Sequence, residues 1–567
     1  MVYEALRRIA QKMSKKCQES NRNKTKEEKV GIKPLFKNVQ IKLAEAGFYK
    51  GLNKFITICS QVLITALVLW AVISPSHALS ILQALNTTLL NAFNVYYLYV
   101  VSFFLIFCIG MAVVPSVGKL KLGQQNEKPE FSNFSWFSMM FGAGMGIGLM
   151  VFSTAEPLWH FGENPETIRG NVAPLTEDAI QSTFRYAFLH YGLHPWGIYV
   201  AIGLSMAYFS HARNLPLTVR SSLAPIFGRY LNGFTGHILD ITAIIATLLG
   251  VAVTIGYGVS QLVTGFNGLA GLDWMMSTGD NPAPTRMALI LVLIIVMLLS
   301  TVSAATGVGR GVKYLSNLNL GLSFILLMVF LVFGSLFFSL KLYGSALIDY
   351  LVSLPVISFK VFEQNTPLGD WQESGTIMYW AWWIAFAPFV GFFLARISKG
   401  RSIREFVLGA MLAPAAMCFV WLVLLGGAAI NLELIGAAEG NIIGAAPSAQ
   451  LFETLNVMLS SNMATAASIL AVVLILTFLI TSADSGVLVL NTIMAGGNVN
   501  AHVKHRFIWG LILTVVIGTL LMVGDGGLEA LQKAMIIGAL PFSVVMVLMC
   551  FSVIKEITNN RKRNDAG

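Results

Sequence analysis

Apolar runs long enough to cross a lipid bilayer recur along most of this chain, separated by short polar segments. A transmembrane helix needs about 20 predominantly apolar residues. We place predicted spans at 55–74, 93–114, 135–159, 181–210, 235–270, 287–306, 313–343, 376–397, 404–432, 462–495, 506–523 and 530–554. The pattern therefore predicts an all-α integral membrane protein with twelve transmembrane helices.

Composition agrees with this pattern, since 56% of the 567 residues are hydrophobic and only 12% are charged. Such a balance is typical of membrane proteins and excludes a string of soluble domains. The five cysteines are scattered without metal or redox spacing, so we expect free thiols. The sequence has no nucleophile elbow, phosphate loop or metal motif, and we expect no enzyme and no resident cofactor.

Charge is concentrated at one end of the chain. The first 54 residues carry 14 Lys or Arg against 5 Glu, which is nine of the ten net positive charges. A basic tail near anionic lipid headgroups accounts for this concentration of charge better than nucleic-acid binding.

Every second predicted loop is basic. These loops hold Lys119, Lys121, Lys128, Arg213, Arg220, Arg229, Arg310, Lys313, Lys399, Arg401, Arg404, Lys504 and Arg506. The positive-inside tendency then predicts that both termini are cytoplasmic.

Four segments of the chain precede, separate or follow the later spans. They are a basic N-terminal tail (1–54), two peripheral transmembrane helices with a loop (55–134), an amphipathic surface helix with a loop (345–375) and a short C-terminal tail (556–567). Asp349, Pro355 and Lys360 interrupt the third of these segments, so a helix lying at the membrane surface suits it better than a span.

The stretch 139–161 holds glycines at 142, 144, 146 and 148. Their spacing suits close helix packing, but four glycines in seven residues also weaken a helix and indicate a broken span. Free carbonyls at such a break can bind a cation, and the positive end of a half-helix can face a carboxylate. We expect Glu156, beside Pro157, to end this helix near the membrane surface.

Two aromatic clusters fall near the middle of predicted spans. Trp196 and Tyr199 share a helix face, and Trp383 and Phe386 have the same spacing in the second cluster, where Pro388 interrupts the helix. Trp380, near the outer end of its span, suits an interfacial belt. Core packing stays open as an alternative for each of these residues.

Oxygen-bearing side chains complete the candidate chemistry. Thr481, Ser482 and Asp484 lie within an apolar run, and Thr247 and Thr254 are two turns apart on another. An intramembrane carboxylate indicates either a functional site or a structural hydrogen bond. Aromatic faces attract a quaternary ammonium group, which has no N–H to donate, and hydroxyl and carbonyl oxygens suit sodium. These residues indicate an aromatic cage beside a cation site.

The motifs "GMGIGLM", "HPWGIY", "YWAWWIAFAPFVGFFLARISKGRSIREF" and "ITSADSG" resemble those of the betaine/choline/carnitine transporters. The resemblance covers about 45–555. It implies two inverted five-helix repeats (135–344 and 376–555) like those of neurotransmitter:sodium symporters, a homotrimer, and uptake across the bacterial cytoplasmic (inner) membrane.

The same resemblance implies site residues. The substrate-binding set is Tyr191, Trp196, Tyr199, Trp382, Trp383, Phe386, Gly144, Met145 and Gly146. The sodium-binding set is Gly142, Met145, Phe478, Thr481 and Ser482 for one ion, and Thr247 and Phe389 for the other. Sodium-coupled betaine carriers usually have Trp at the positions of Tyr191 and Phe386, so substrate preference stays open.

We therefore expect a secondary active importer of glycine betaine or a close analogue, coupled to sodium by alternating access and serving osmoprotection. The alternatives are a transporter of choline, dimethylsulfoniopropionate or carnitine, which could be proton-coupled. A channel or sensor is more remote, because the sequence has no repeated filter motif.

Overall fold

The computed structural model describes residues 39–144, 146–279, 282–305, 311–499, 503–523 and 528–566, so most of the predicted N-terminal tail lies outside the described residues. The described part is almost entirely helical. We number sixteen helices and leave shorter turns unnumbered: α1 (Lys54–Ile73), α2 (Pro75–Val113), α3 (Asn133–Gly144), α4 (Ile147–Gly162), α5 (Ala179–Tyr191), α6 (Leu193–Ala207), α7 (Phe234–Ala270), α8 (Arg286–Ala305), α9 (Gly311–Phe333), α10 (Leu336–Ile357), α11 (Met378–Ile397), α12 (Ile403–Leu434), α13 (Gln450–Met458), α14 (Ser461–Met494), α15 (Val503–Met522) and α16 (Glu529–Ala566).

Eleven helical segments of the described residues are long and apolar enough to cross a membrane. The pairs α3/α4 and α5/α6 are not among them, because their halves have 12, 16, 13 and 15 residues. Helix α10 is among them, although only 17% of its apolar window is buried within the protein. The all-α membrane fold is confirmed, and the count of twelve spans stays a prediction.

Several predicted boundaries were wrong. The span predicted at 313–343 ends at Phe333, and the helix predicted to begin near 345 begins at Leu336, because Gly334 and Ser335 separate α9 from α10. The span predicted at 93–114 begins at Pro75. Hydropathy locates apolar stretches but does not show where a helix continues beyond the bilayer.

The predicted break at the glycine run is confirmed. Helix α3 ends at Gly144 and α4 begins at Ile147, with Gly146 at φ −135° and ψ −139° as its N-cap. A second break was not predicted, since the span predicted at 181–210 divides at Gly192 into α5 and α6. A Cβ on Gly192 would lie 2.4 Å from the Phe188 carbonyl oxygen, which excludes larger residues there. The freed N–H of Leu193 donates to the Tyr350 hydroxyl on α10 at 3.1 Å.

Small residues let the central helices approach closely, as is usual in membrane bundles. A Cβ added to Gly391 on α11 would lie 2.3 Å from Ile202 Cγ2 on α6. A Cβ on Gly250 of α7 would lie 2.9 Å from the carbonyl carbon of Ala385 on α11. These approaches hold α11 between α6 and α7.

Candidate functional site

A cavity lies between the break before α4 and the central helices α11, α7 and α14. It is lined by Gly146, Ile147, Gly148, Leu149, Tyr191, Tyr199, Thr254, Trp382, Trp383, Phe386, Phe389, Cys418 and Ser482. None of these lining residues is acidic or basic, so the cavity is a neutral chamber with several aromatic faces.

Helix α11 supplies one wall of the cavity. The indole N–H of Trp382 donates to the Thr254 hydroxyl at 3.0 Å, and that of Trp383 donates to the His190 carbonyl at 3.1 Å. Both indoles are therefore fixed by neighbouring helices. Phe386 follows Trp382 by one turn and packs against Phe389, with ring centroids 4.8 Å apart. The structure places all four side chains along the cavity.

Tyrosines from α5 and α6 supply the facing wall. The ring of Tyr199 meets that of Trp383 edge-on at 5.4 Å, and the ring of Tyr191 meets it edge-on at 5.6 Å. Trp196 is not among the lining residues. It is fully buried, and its ring lies edge-on to Tyr199 at 5.6 Å. Of the six aromatics in the predicted substrate set, the structure brings five to the cavity and places Trp196 behind them.

The glycine break reaches the cavity at Gly146, while Gly142 and Gly144 lie in the last turn of α3 and Met145 lies outside the described residues. Helix α4 begins here, and the first N–H groups of any helix lack an acceptor within it. Because Ile147 and Gly148 line the cavity, the positive end of the α4 dipole acts there.

The predicted sodium-binding residues are only partly gathered. Ser482 lines the cavity, and its Oγ would lie 3.7 Å from a Cβ built on Gly146. Thr481 donates to carbonyls of its own helix and accepts from Asn319 Nδ2 at 3.3 Å. Thr481 is partly exposed, and its hydroxyl retains a lone pair for a cation. Phe478, one turn earlier on α14, is buried and is not a lining residue.

The two residues predicted to bind the second sodium ion do not both reach the cavity. Phe389 lines the cavity, whereas Thr247 is buried away from it and donates to the Ala243 carbonyl at 2.7 Å. Thr254, two turns further along α7, is the threonine of this helix that reaches the cavity. Asp484 is buried beside Ser303 at 3.2 Å, which is the structural hydrogen bond left open by the sequence.

Two expectations about the outer end of the site were wrong. Glu156 does not end its helix, because α4 continues to Gly162 and buries the carboxylate. The helix passes Pro157, whose side chain packs against α12 where a Cβ on Gly426 would lie 2.4 Å away. Trp380 is not interfacial. It is 2% exposed and stacks on His194 with centroids 5.4 Å apart.

A polar cluster around Glu156 was missed by the sequence analysis. Its Oε1 lies 2.9 Å from His160 Nε2 and 2.6 Å from His190 Nδ1, and its Oε2 accepts from the Tyr379 hydroxyl at 2.5 Å. His190 Nε2 also lies 2.9 Å from the Thr376 hydroxyl. The spacing of Glu156 and His160, four residues apart on one helix, was the available signal.

The fold and the cavity together define a multi-pass membrane protein with an internal cavity lined by aromatic side chains. The profile described as "BCCT, betaine/carnitine/choline family transporter" matches residues 55–562. The chain belongs to the betaine/carnitine/choline transporter family, and it is a transporter and not an enzyme.

Several relatives are similar over nearly the whole chain. The glycine betaine transporter OpuD of Bacillus subtilis is 38% identical over 88% of this chain and 93% of its own. A glycine betaine transporter of Acinetobacter baylyi is 38% identical over 88% of this chain and 72% of its own. A glycine betaine/proline/choline/ectoine transporter of Vibrio parahaemolyticus is 34% identical over 89% of this chain and 87% of its own. Among solved structures, a mutant manganese transporter of Eremococcus coleocola aligns with 75% of this chain and 81% of that chain at a TM-score of 0.40 and 18% identity.

Proposed function

We propose that this protein imports glycine betaine or a close quaternary ammonium analogue by sodium-coupled symport. The observation that carries the proposal is the cavity itself, which is lined by aromatic rings and, among the residues that the structure describes, by no charged side chain. A trimethylammonium group cannot donate a hydrogen bond, and aromatic faces attract it by about 0.5–2 kcal/mol each. The relatives named as glycine betaine transporters support the same substrate class.

The carboxylate of betaine has a suitable partner at the other end of the cavity. Ile147 and Gly148 belong to the first turn of α4 and line the chamber. Their N–H groups and the helix dipole favour an anion. A zwitterion can therefore place its cation among Tyr191, Trp383 and Phe386 and its carboxylate at the helix end.

Sodium coupling is supported by the oxygen atoms beside the same helix break. The Ser482 hydroxyl is close to Gly146, and Thr481 precedes it on α14. When bound, sodium would add a positive charge near the substrate carboxylate and link ion binding to substrate binding. Import then takes place across the bacterial cytoplasmic membrane, with both termini in the cytoplasm and with the protein assembled as a homotrimer.

Uptake by proteoliposomes tests the proposal. We expect concentrative uptake of labelled glycine betaine with an inward sodium gradient and little uptake when potassium replaces sodium. Equal rates in the two conditions would contradict sodium coupling. Uptake measured with an inward proton gradient in place of the sodium gradient tests the proton-coupled alternative.

Choline is the second candidate substrate, and the presence of Phe386 in the cavity supports this alternative. This smaller ring lines the cavity where sodium-coupled betaine carriers usually have Trp. Choline needs the aromatic cage but not the end of α4. Competition among betaine, choline, carnitine and dimethylsulfoniopropionate for uptake ranks the candidates directly.

A further inference from the structure

The Glu156 carboxylate is buried beside the cavity, and its hydrogen-bond partners come from three helices. His160 lies on α4 with it, His190 lies on α5 and Tyr379 lies on α11. Glu156 is 2% exposed, and both histidines are 0% exposed. Three donors to one carboxylate are what a buried anion requires in a medium of low dielectric constant.

Neutral histidines suffice for this arrangement. Each imidazole needs one N–H to donate to Glu156, and a neutral imidazole supplies it. Among the described residues, the ion-pair contacts of Glu156 are with these two histidines, and none is with Lys or Arg. With neutral imidazoles the cluster carries one net negative charge.

The charge is linked to the cavity through two hydroxyl groups. Tyr379 donates to Glu156, and Tyr191 donates to Tyr379 at 3.3 Å. Tyr191 lines the cavity and meets the cage wall at Trp383. Both phenolic hydrogens therefore point toward Glu156 and away from the cavity. A phenol that donates to an anion-bound partner gains electron density in its ring, and the face of such a ring attracts a cation more strongly.

We propose that Glu156 is a positioning residue that supplies the remote counter-charge for the substrate cation and sets the preference between net cationic and zwitterionic substrates. The inference rests on the proposed function. None of the described lining residues is charged, and Glu156 is the carboxylate that the hydrogen-bond chain connects to the cage.

The two candidate substrates respond differently to this charge. Choline has a net positive charge, so Glu156 only attracts it. Betaine has the same ammonium group, but Glu156 repels its carboxylate, and this repulsion offsets part of the attraction to the ammonium group. A unit charge about 10 Å from a cation, at an effective dielectric constant of about 20, changes affinity on the order of tenfold. Removing the charge should therefore affect choline more than betaine.

The experiment compares the dissociation constants of choline and glycine betaine for the full-length protein in liposomes, measured by tryptophan fluorescence. We expect Glu156→Gln, which keeps the side-chain size, to weaken choline binding on the order of tenfold and betaine binding by about two- to threefold. Tyr379→Phe keeps the carboxylate but breaks the hydroxyl chain. We expect it to weaken the binding of both substrates and to shift the choline-to-betaine ratio in the same direction as Glu156→Gln but by less, because the carboxylate remains.

Glu556→Gln is the matched control, because Glu556 is a buried carboxylate paired with Arg213 and is not a cavity residue. We expect it to leave the choline-to-betaine ratio at the wild-type value. Glu156→Asp keeps the charge and should retain that ratio even if folding yield falls. An unchanged ratio in Glu156→Gln would overturn the inference. Failure of the wild-type protein to bind either compound would instead overturn the proposed function.

Discussion

The ring of Tyr191 stands edge-on to the ring of Trp383, with centroids 5.6 Å apart and an angle of 87° between the planes. The two residues belong to α5 and α11, which are far apart in the chain. Together with the contact between Tyr199 and Trp383, this contact joins the aromatic residues of α5 and α6 to those of α11. Edge-to-face packing holds each ring in place and leaves part of the Trp383 face open to the cavity.

Loss of the Trp383 face should weaken substrate binding. We expect Trp383→Ala to raise the dissociation constant for betaine on the order of tenfold, since one desolvated aromatic face contributes up to about 2 kcal/mol. Trp383→Phe, which keeps a ring, should recover part of this loss. Trp274→Ala is the control, since Trp274 is 45% exposed and outside the cavity. Equal binding by Trp383→Ala and wild type would exclude this ring from the site.

Removal of the Ser482 hydroxyl should weaken the binding of sodium rather than the binding of the substrate. We expect Ser482→Ala to raise the sodium concentration for half-maximal uptake several-fold, because a hard cation loses an oxygen ligand near the helix break. Initial uptake rates over a range of sodium concentrations provide the measurement. Ser485→Ala, on the same helix but away from the cavity, should match the wild type. An unchanged sodium requirement in Ser482→Ala would rule out this hydroxyl as a ligand.

Close contact between α6 and α11 makes Gly391 intolerant of a side chain. We expect Gly391→Ala to destabilise the protein by about 1–3 kcal/mol, because its Cβ would meet Ile202 at 2.3 Å and the Gly203 nitrogen at 3.2 Å. The midpoint of thermal unfolding in detergent is the measurement. Gly344→Ala is the control, since a Cβ there has no heavy atom within 4 Å. A midpoint for Gly391→Ala equal to that of the control would contradict the packing argument.

The hydroxyl of Tyr350 accepts from the N–H freed at the second helix break. We expect Tyr350→Phe to lower stability by about 1–3 kcal/mol, because the partly buried Leu193 N–H would be left without its acceptor. Tyr343→Phe removes a weaker and more exposed hydrogen bond to the Ala416 carbonyl, at 3.5 Å, and should have a smaller effect. The same thermal measurement compares them, and equal midpoints for the two variants would argue against a role for Tyr350 at the break.

Much of the cage could be predicted, because the motif residues lie on helices whose local geometry the sequence dictates. Trp382, Trp383 and Phe386 fall within little more than one turn, so α11 presents them together. The glycine run also predicted the broken helix. The Gly192 break was missed because a single glycine in an apolar run does not distinguish an interrupted helix from a continuous one.

The sequence by itself determined the helical membrane fold and which residues share a helix face, because hydropathy and helical periodicity are local properties. Only the tertiary structure decided which faces meet the cavity. Trp196 and Tyr199 are three residues apart, yet only Tyr199 lines the chamber, since residues at this spacing still differ in direction by about 60°. The structure alone also joined Glu156 to Tyr379, since the partners of a buried carboxylate on distant helices depend on how those helices pack.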